Sequence, residues 1–322
     1  MQRVILKALG GPEQLALEQI TEAPRPAPGQ VLVDVEAAGV NYLDVMQRKG
    51  ILPVQLPSTP GLEGVGRVRE LGEGTDGTLA IGQRVAWVNV RGSYASRLAI
   101  PAPQAIAVPD SFAVEQALLF QAITAQYLVH EYRAVRPGDR VLVHAAAGGV
   151  GQLLVQWLKH LGAWVVGTVS SDAKADLARA AGADAVINYG RDYAFLDELR
   201  TLTRGEGVEL AFDSIGAATL ANTLKGLARG GIVVIAGSSS GPPPAINPME
   251  LINPCTRVAA GSLFSYIADH AELQQRAAAV IQAVRSGWLR MPCGTGFDLA
   301  RVADAHRGLE ARSAMGKLYL TP

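Results

Sequence analysis

Residues 141–156, Val-Leu-Val-His-Ala-Ala-Ala-Gly-Gly-Val-Gly-Gln-Leu-Leu-Val-Gln, run an apolar strand into a glycine turn and on into a helix. This order constrains the fold more than any other stretch, because a buried strand feeding directly into a helix calls for a parallel sheet with helices packed on it. The turn follows the G-x-G-x-x-G pattern, with Ala146, Gly148 and Gly151 at its three glycine places. In that pattern the first glycine permits the tight turn, the second lets backbone approach a pyrophosphate, and the third brings the helix against the strand. Alanine at the first place costs little if φ stays negative there. The backbone N–H groups of Gly148, Gly149, Val150 and Gly151, at the positive end of the helix, are the predicted pyrophosphate ligands.

The rest of the chain supports two domains, the default for 322 residues. Up to about residue 110, short β-type runs such as Gln30–Ala37 and Gly82–Val88 alternate with glycine and proline, the texture of an irregular, partly barrel-like β domain. From Asp139 the rhythm becomes strand then helix: 141–143 and 150–161, 164–169 and 172–181, 185–189 and 195–202, then strands at 208–212 and 232–235 around a helix over 217–228. That repetition predicts a doubly wound parallel sheet, with Gly162 and Gly182 closing helices. After a Ser/Pro loop come a strand over 258–264, helices near 268–285 and 299–309, and a last strand, Lys317–Leu320. These final segments are too small for a core of their own. The expected division is therefore a discontinuous β-rich domain, 1–120 with 262–322, around a nucleotide domain, 121–261.

The 29 acidic and 29 basic residues balance, so no electrostatic footprint for nucleic acid or an anionic membrane exists. A small-molecule partner is expected. Cys255 and Cys293 form no disulfide framework or zinc motif, no apolar run reaches spanning length, and residues 1–8 are too short and strand-like for a signal peptide. The expectation is a soluble cytoplasmic protein.

The end of the second strand selects the nucleotide, since an acidic residue there binds the ribose 2′-OH of NAD. Here it reads Val169-Ser-Ser-Asp-Ala-Lys174, with Ser170 rather than a carboxylate ending the strand. Lys174 neutralises and Ser170 and Ser171 hydrogen-bond a 2′-phosphate, which favours NADPH. Asp172 is the counter-indication, and a solvated helix face is the alternative for Lys174. Tyr189, closing the third strand, either contacts the adenosine end or is simply a strand-end aromatic.

Taken with Gly39–Asp44, Pro60–Gly66, Gln121–Tyr127, Ile187–Tyr189, Asp213–Gly216 and Gly316–Leu318, the glycine turn gives a chain that resembles the medium-chain dehydrogenase/reductase superfamily. Within it, the resemblance is to the zinc-free, ζ-crystallin-like quinone oxidoreductases. It implies a GroES-like β-rich catalytic domain beside a Rossmann nucleotide domain, with substrate in the cleft between them. Zinc-dependent members carry Cys where this chain has Asn41 and His where it has Leu62, and they add a four-Cys lobe that is missing here. The five histidines show no ligand spacing, so no metal is expected. Glu63 reads as structural, and His144 as a strand or turn residue.

The resemblance further implies that Asn41, Tyr42 and Thr124 lie at the reacting centre. Ser214, Gly237, Ser238 and Phe264 would border the cofactor, and Arg312 or Lys317 would approach its phosphates. Met46 and Leu52 stand where many relatives have tyrosines that line the acceptor pocket, which makes this pocket more apolar. Bland alternatives stand beside these: a turn residue for Asn41, core for Tyr42, a helix residue for Thr124, packing for Phe264 and a solvated chain end for Arg312 and Lys317.

Without zinc to stabilise an alkoxide, the acceptor must delocalise the incoming charge itself. The expected activity is therefore hydride transfer from NADPH to a quinone or an α,β-unsaturated carbonyl. The alternatives are an enoyl-thioester reductase of the same superfamily and a crystallin-like nucleotide- or RNA-binding protein with little catalysis. The resemblance also implies a homodimer paired at the edge of the nucleotide-domain sheet, and Ile232–Phe264 supplies apolar strand-like material for it.

Overall fold

The computed structural model describes residues 1–322 except Ala23, Asp76, Thr78, Arg191 and residues 312–315. By its internal contacts the chain divides into two compact units, residues 1–120 with 269–281 and 291–322, and residues 121–268 with 282–290.

The first unit opens with a hairpin of β1 (Gln2–Leu6) and β2 (Leu15–Gln19), then β3 (Gln30–Val40), the helix α1 (Tyr42–Arg48), β4 (Glu63–Leu71), β5 (Arg84–Val88), β6 (Arg97–Pro101), β7 (Ile106–Ala107) and α2 (Val114–Ala117). Strand β3 is the hub, antiparallel to both β4 and β6. Val31, Val33 and Val35 of β3 pack with Val68, Val85, Trp87 and Ile100 in one core. The chain then enters the second unit through α3 (Phe120–Glu131).

The second unit alternates β8 (Arg140–Val143), α4 (Gly149–His160), β9 (Trp164–Val169), α5 (Asp172–Ala180), β10 (Ala185–Asn188), α6 (Leu196–Leu202), β11 (Val208–Asp213), α7 (Leu220–Lys225), β12 (Leu227–Ile235) and β13 (Arg257–Ala260), followed by the helical turn α8 (Leu263–Tyr266). Its six strands lie in the order β10-β9-β8-β11-β12-β13, all parallel. Helices on both faces explain why β8 and β9 are nearly continuous apolar runs rather than alternating ones. Gly162 and Gly182 end α4 and α5 at φ +84° and +106°, conformations that cost other residues a clash of Cβ with backbone.

The chain returns through α9 (His270–Arg285), β14 (Gly294–Asp298), α10 (Val302–Glu310) and β15 (Lys317–Thr321). Strand β15 pairs antiparallel with β3 of the first unit, placing Leu318 opposite Val40, and parallel with β14.

The helix expected over 217–228 is shorter, Leu220–Lys225, with β12 already begun at Leu227, and two further segments differ from the sequence-based reading. The strand expected over 258–264 stops at Ala260, and residues 262–268 pack in the second unit. There the Tyr266 ring stacks on Tyr127 with centroids 4.8 Å apart, and Tyr127 Oη donates to the Gly261 carbonyl. Residues 282–290 also pack there, because the Trp288 ring stacks on His160 at 3.9 Å and meets Trp157 edge-on at 5.1 Å.

Candidate active site

In the second unit, Val141, Leu142 and Val143 are fully buried and deliver the chain to the turn at the C-terminal end of β8. The left-handed residue of this turn is Ala145, at φ +51°, while Ala146 keeps a negative φ. Gly148 caps α4 and spends its N–H on the Ala145 carbonyl, 2.9 Å away. The first-turn amides of Gly149, Val150 and Gly151 have no such partner among the described residues, as expected of a helix N-terminus. Gly151 has a purely steric reason to be glycine, since a Cβ there would lie 2.2 Å from the Ala145 carbonyl oxygen. Open amides at a helix N-terminus are a feature that favours an anionic ligand.

One strand over, β9 ends at exposed Ser170, and Ser171 caps α5. Lys174 Nζ lies 3.4 Å from Ser170 Oγ, so the helix brings the ammonium back over the strand end. Asp172 accepts from Asn188 Nδ2 at 2.8 Å, and Asn188 lies beside Val169 at the end of the neighbouring strand. Tyr189 follows β10 directly, but the residue is 8 % exposed and its ring packs at 4.9 Å against Tyr193 in the core, leaving little of it for an adenosine to stack on.

The loops after β11 and β12 are stitched together. Asp213, fully buried, accepts from the amides of Ile215 and Gly216 and from Thr219 Oγ1. The Ser239 amide donates to the Ser214 carbonyl, and Ser240 Oγ to the Ile215 carbonyl. Ser214, Gly237 and Ser238 therefore occupy adjoining loops at the same strand ends, and a Cβ on Gly237 would lie 3.0 Å from the Ser214 carbonyl oxygen. His144 is structural. It bridges Thr168 Oγ1 at 2.8 Å and Thr223 Oγ1 at 2.9 Å, and burial pushes it down to about 4, so its ring is neutral. Thr124 is half-buried on α3, and Phe264 half-buried on α8.

In the first unit, Asn41 caps α1, and only its backbone takes part in the cap, donating to Asp44 Oδ2 at 2.9 Å. Its side chain turns to a buried pair instead. Nδ2 donates to Glu63 Oε1 at 2.9 Å, and Oδ1 accepts from Lys317 Nζ at 3.1 Å. Lys317 also pairs directly with Glu63. An ammonium only donates and a carboxylate only accepts, so these two neighbours fix which way the Asn41 amide faces. One Nδ2–H is left with no acceptor among the described residues.

Lys317 was expected at the cofactor phosphates, and the structure corrects this. It is 3 % exposed, and its ammonium is committed to Glu63 and Asn41, because β15 returns beside β3 and delivers it there. Arg312, the alternative phosphate ligand, lies outside the described residues.

Asp44 is a centre the sequence reading missed, although the Asn-x-x-Asp spacing of a helix cap was a signal for it. It accepts from Tyr94 Oη at 2.8 Å, and Tyr94 in turn meets His306 Nε2 at 3.4 Å, on whose other side lies Arg48 Nε. Burial raises the Asp44 carboxyl to about 6 and drives His306 down to about 3, with the Arg48 charge adding to the latter. The tertiary fold, not local sequence, brings these four residues together.

Tyr42 is 42 % exposed, which rules out a core role. Met46 lies one turn further along α1, half-buried, and its carbonyl accepts from the amides of Ile51 and Leu52, so Met46 and Leu52 adjoin. Among the described residues no three His, Cys, Asp or Glu side chains converge on a metal position.

A β-rich unit closed by a returning C-terminal strand, and a parallel sheet whose first glycine turn exposes a helix N-terminus, together define a nucleotide-dependent dehydrogenase or reductase. Residues 27–110 match the alcohol dehydrogenase GroES-like domain, and residues 149–282 match the family described as zinc-binding dehydrogenase. A 2-haloacrylate reductase from a Burkholderia species is 34 % identical, over 99 % of this chain and 98 % of that protein. The structure of Escherichia coli quinone oxidoreductase complexed with NADPH is 33 % identical, with a TM-score of 0.94 over the whole of both chains. A mycobacterial protein complexed with NADPH is 36 % identical at the same TM-score, also over both whole chains. The chain belongs to the quinone oxidoreductase family of the medium-chain dehydrogenase/reductase superfamily.

Proposed function

We propose that this chain is a zinc-independent NADPH-dependent oxidoreductase that delivers hydride to a quinone or an α,β-unsaturated carbonyl compound. The observation that carries the reading is the open N-terminus of α4, with the Ser170–Lys174 pair at the next strand end. The amides of Gly149 to Gly151 hold the pyrophosphate, Lys174 with Ser170 and Ser171 holds the 2′-phosphate, and the Asp172 carboxylate is held by Asn188. NADPH, when bound, supplies the hydride. Thr124, Ser214, Gly237, Ser238 and Phe264 are assigned to its nicotinamide half.

The free Nδ2–H of Asn41 stabilises the negative charge that develops on the acceptor oxygen. Glu63 and Lys317 hold the amide in place beforehand, so little reorganisation is needed during the reaction. Met46 and Leu52 give the acceptor an apolar wall, with Tyr42 beside them. Relatives are named for quinones and for 2-haloacrylate, acceptors that share a carbon–carbon double bond conjugated to a carbonyl or carboxyl group. Such an acceptor spreads the incoming charge without a Lewis acid, in keeping with Asn41 and Leu62 standing where zinc-dependent members have ligands.

No described helix is long and apolar enough to cross a membrane. A cytoplasmic homodimer fits the free cysteines and the outermost position of β13 in its sheet. Light scattering returning a monomer at high concentration, or metal analysis finding stoichiometric zinc, would count against these assignments.

The deciding assay follows oxidation of NADPH and NADH with a panel of quinones, alkenals and enoyl thioesters; no turnover with any acceptor sinks the reading. In the same assay Lys174→Ala is expected to raise KM for NADPH by about tenfold, the scale of one charge-assisted contact, while leaving NADH nearly unchanged. Equal effects on the two coenzymes would remove Lys174 from the phosphate site.

A further inference from the structure

At the end of the second unit's sheet opposite the glycine turn lies a cavity of about 390 Å³ whose rim carries Arg133, Arg136, Arg229 and Arg257 against the single carboxylate of Glu209. Three separate chain segments supply these guanidinium groups. Arg133 and Arg136 stand on the loop before β8, Arg257 begins β13, and Arg229 rides an irregularity in β12.

That irregularity is specific. Val208 of β11 pairs with Leu227, yet two residues later Leu210 pairs with Ile232, so residues 228–231 bow out of the ladder with exposed Arg229 on the bow. Gly230 turns the chain at φ +75°, and a Cβ on Gly231 would lie 2.8 Å from the Ala228 carbonyl oxygen, so the bow depends on this glycine pair. An interruption of the ladder re-aims the side chains that it carries.

The charges on the rim are not matched. Glu209 is taken by Arg140, and Arg133 by Asp139. Among the described residues Arg257 reaches only the Gly230 carbonyl, and Arg136 and Arg229 make no ion pair. In a chain of balanced charge, three uncompensated guanidinium groups around one cavity form a local positive field. Planar guanidinium forks match the geometry of phosphate and carboxylate oxygens.

We propose that this cavity is a second ligand site that binds a small polyanion bearing two or more phosphate or carboxylate groups. It is distinct from the cofactor cradle, which lies at the carboxyl ends of the same strands, where nucleotides bind in open parallel sheets. Arg136, Arg229 and Arg257 are the anion ligands, and Arg133, already paired with Asp139, completes the positive wall.

The test is calorimetric titration of the NADPH-saturated protein with inorganic pyrophosphate and, separately, with citrate at fixed ionic strength. NADPH fills the glycine turn, so binding of the probes there does not confuse the result. Saturable binding is expected in the natural sequence, and whichever probe binds tighter identifies the ligand as phosphate- or carboxylate-bearing. R136S/R229S is expected to lose at least tenfold in affinity, whereas R179S, which removes an exposed arginine of α5, changes nothing. NADPH oxidation is expected to be unaffected in all three proteins and reports that they fold. Should the double variant fail to fold, R136S and R229S singly are each expected to weaken binding severalfold. The proposal is overturned if neither probe binds saturably, or if removing these arginines leaves the affinity unchanged.

Discussion

Gly151→Ala is expected to weaken NADPH binding by about 10- to 100-fold, the most damaging single methyl group that can be added near the glycine turn. The new Cβ would lie 2.2 Å from the backbone carbonyl oxygen of Ala145, and no side-chain rotation relieves a clash with backbone. The turn must open, α4 must withdraw, or both, at an overpacking cost of about 1–3 kcal/mol. Either movement shifts the amides that we assign to the pyrophosphate. Gly148→Ala is the control, because its Cβ would stand 3.2 Å from the same oxygen, a distance that a few tenths of an ångström of give can absorb. Fluorescence titration with NADPH checks both. Comparable losses in the two variants would mean that α4 packing on the turn is not what shapes the site.

Lys317→Met is expected to destabilise the protein by about 3–5 kcal/mol, the usual consequence of leaving a buried charge without its partner, here Glu63. Pairing it with Glu63→Gln removes the orphaned charge and is expected to restore most of that stability in urea unfolding. Activity is expected not to follow. Without the ammonium on Oδ1 the Asn41 amide is free to turn, and kcat is expected to stay about tenfold or more below the natural enzyme, while KM for NADPH remains unchanged. A raised KM for NADPH would return Lys317 to the phosphate site. Full recovery of kcat in the double variant would show that the orientation of Asn41 is immaterial.

The nucleotide-binding half was largely legible because its signals are local. A strand, a glycine turn and a helix within sixteen residues carry their own periodicity, and Ser170 and Lys174 are close in sequence, the one before the cap of α5 and the other in its first turn, so the local strand-to-helix turn brings them together. The strand end at Ala260 was harder to read. Its apolar run continues to Phe264, but Tyr127 and Tyr266, distant in sequence, take residues 261–266 off the sheet.

The first unit's polar centre was scarcely legible. Asn41, Glu63 and Lys317 span most of the chain, and Asp44, Tyr94 and His306 come from three separate segments. Each reads singly as a turn, cap or surface residue. Only the return of β15 beside β3, and of α10 into the same unit, makes them neighbours.

By itself, the sequence determined the parallel-sheet unit, the place of its glycine turn, the nucleotide that turn suits and the family, because these depend on residues close along the chain and on patterns of period 2 and 3.6. Tertiary structure alone decided that Lys317 orients an asparagine rather than meeting a phosphate, that Tyr189 is core, and that four arginines face one cavity. Burial and pairing depend on what distant segments bring, and a buried ammonium takes whichever carboxylate the fold delivers to it.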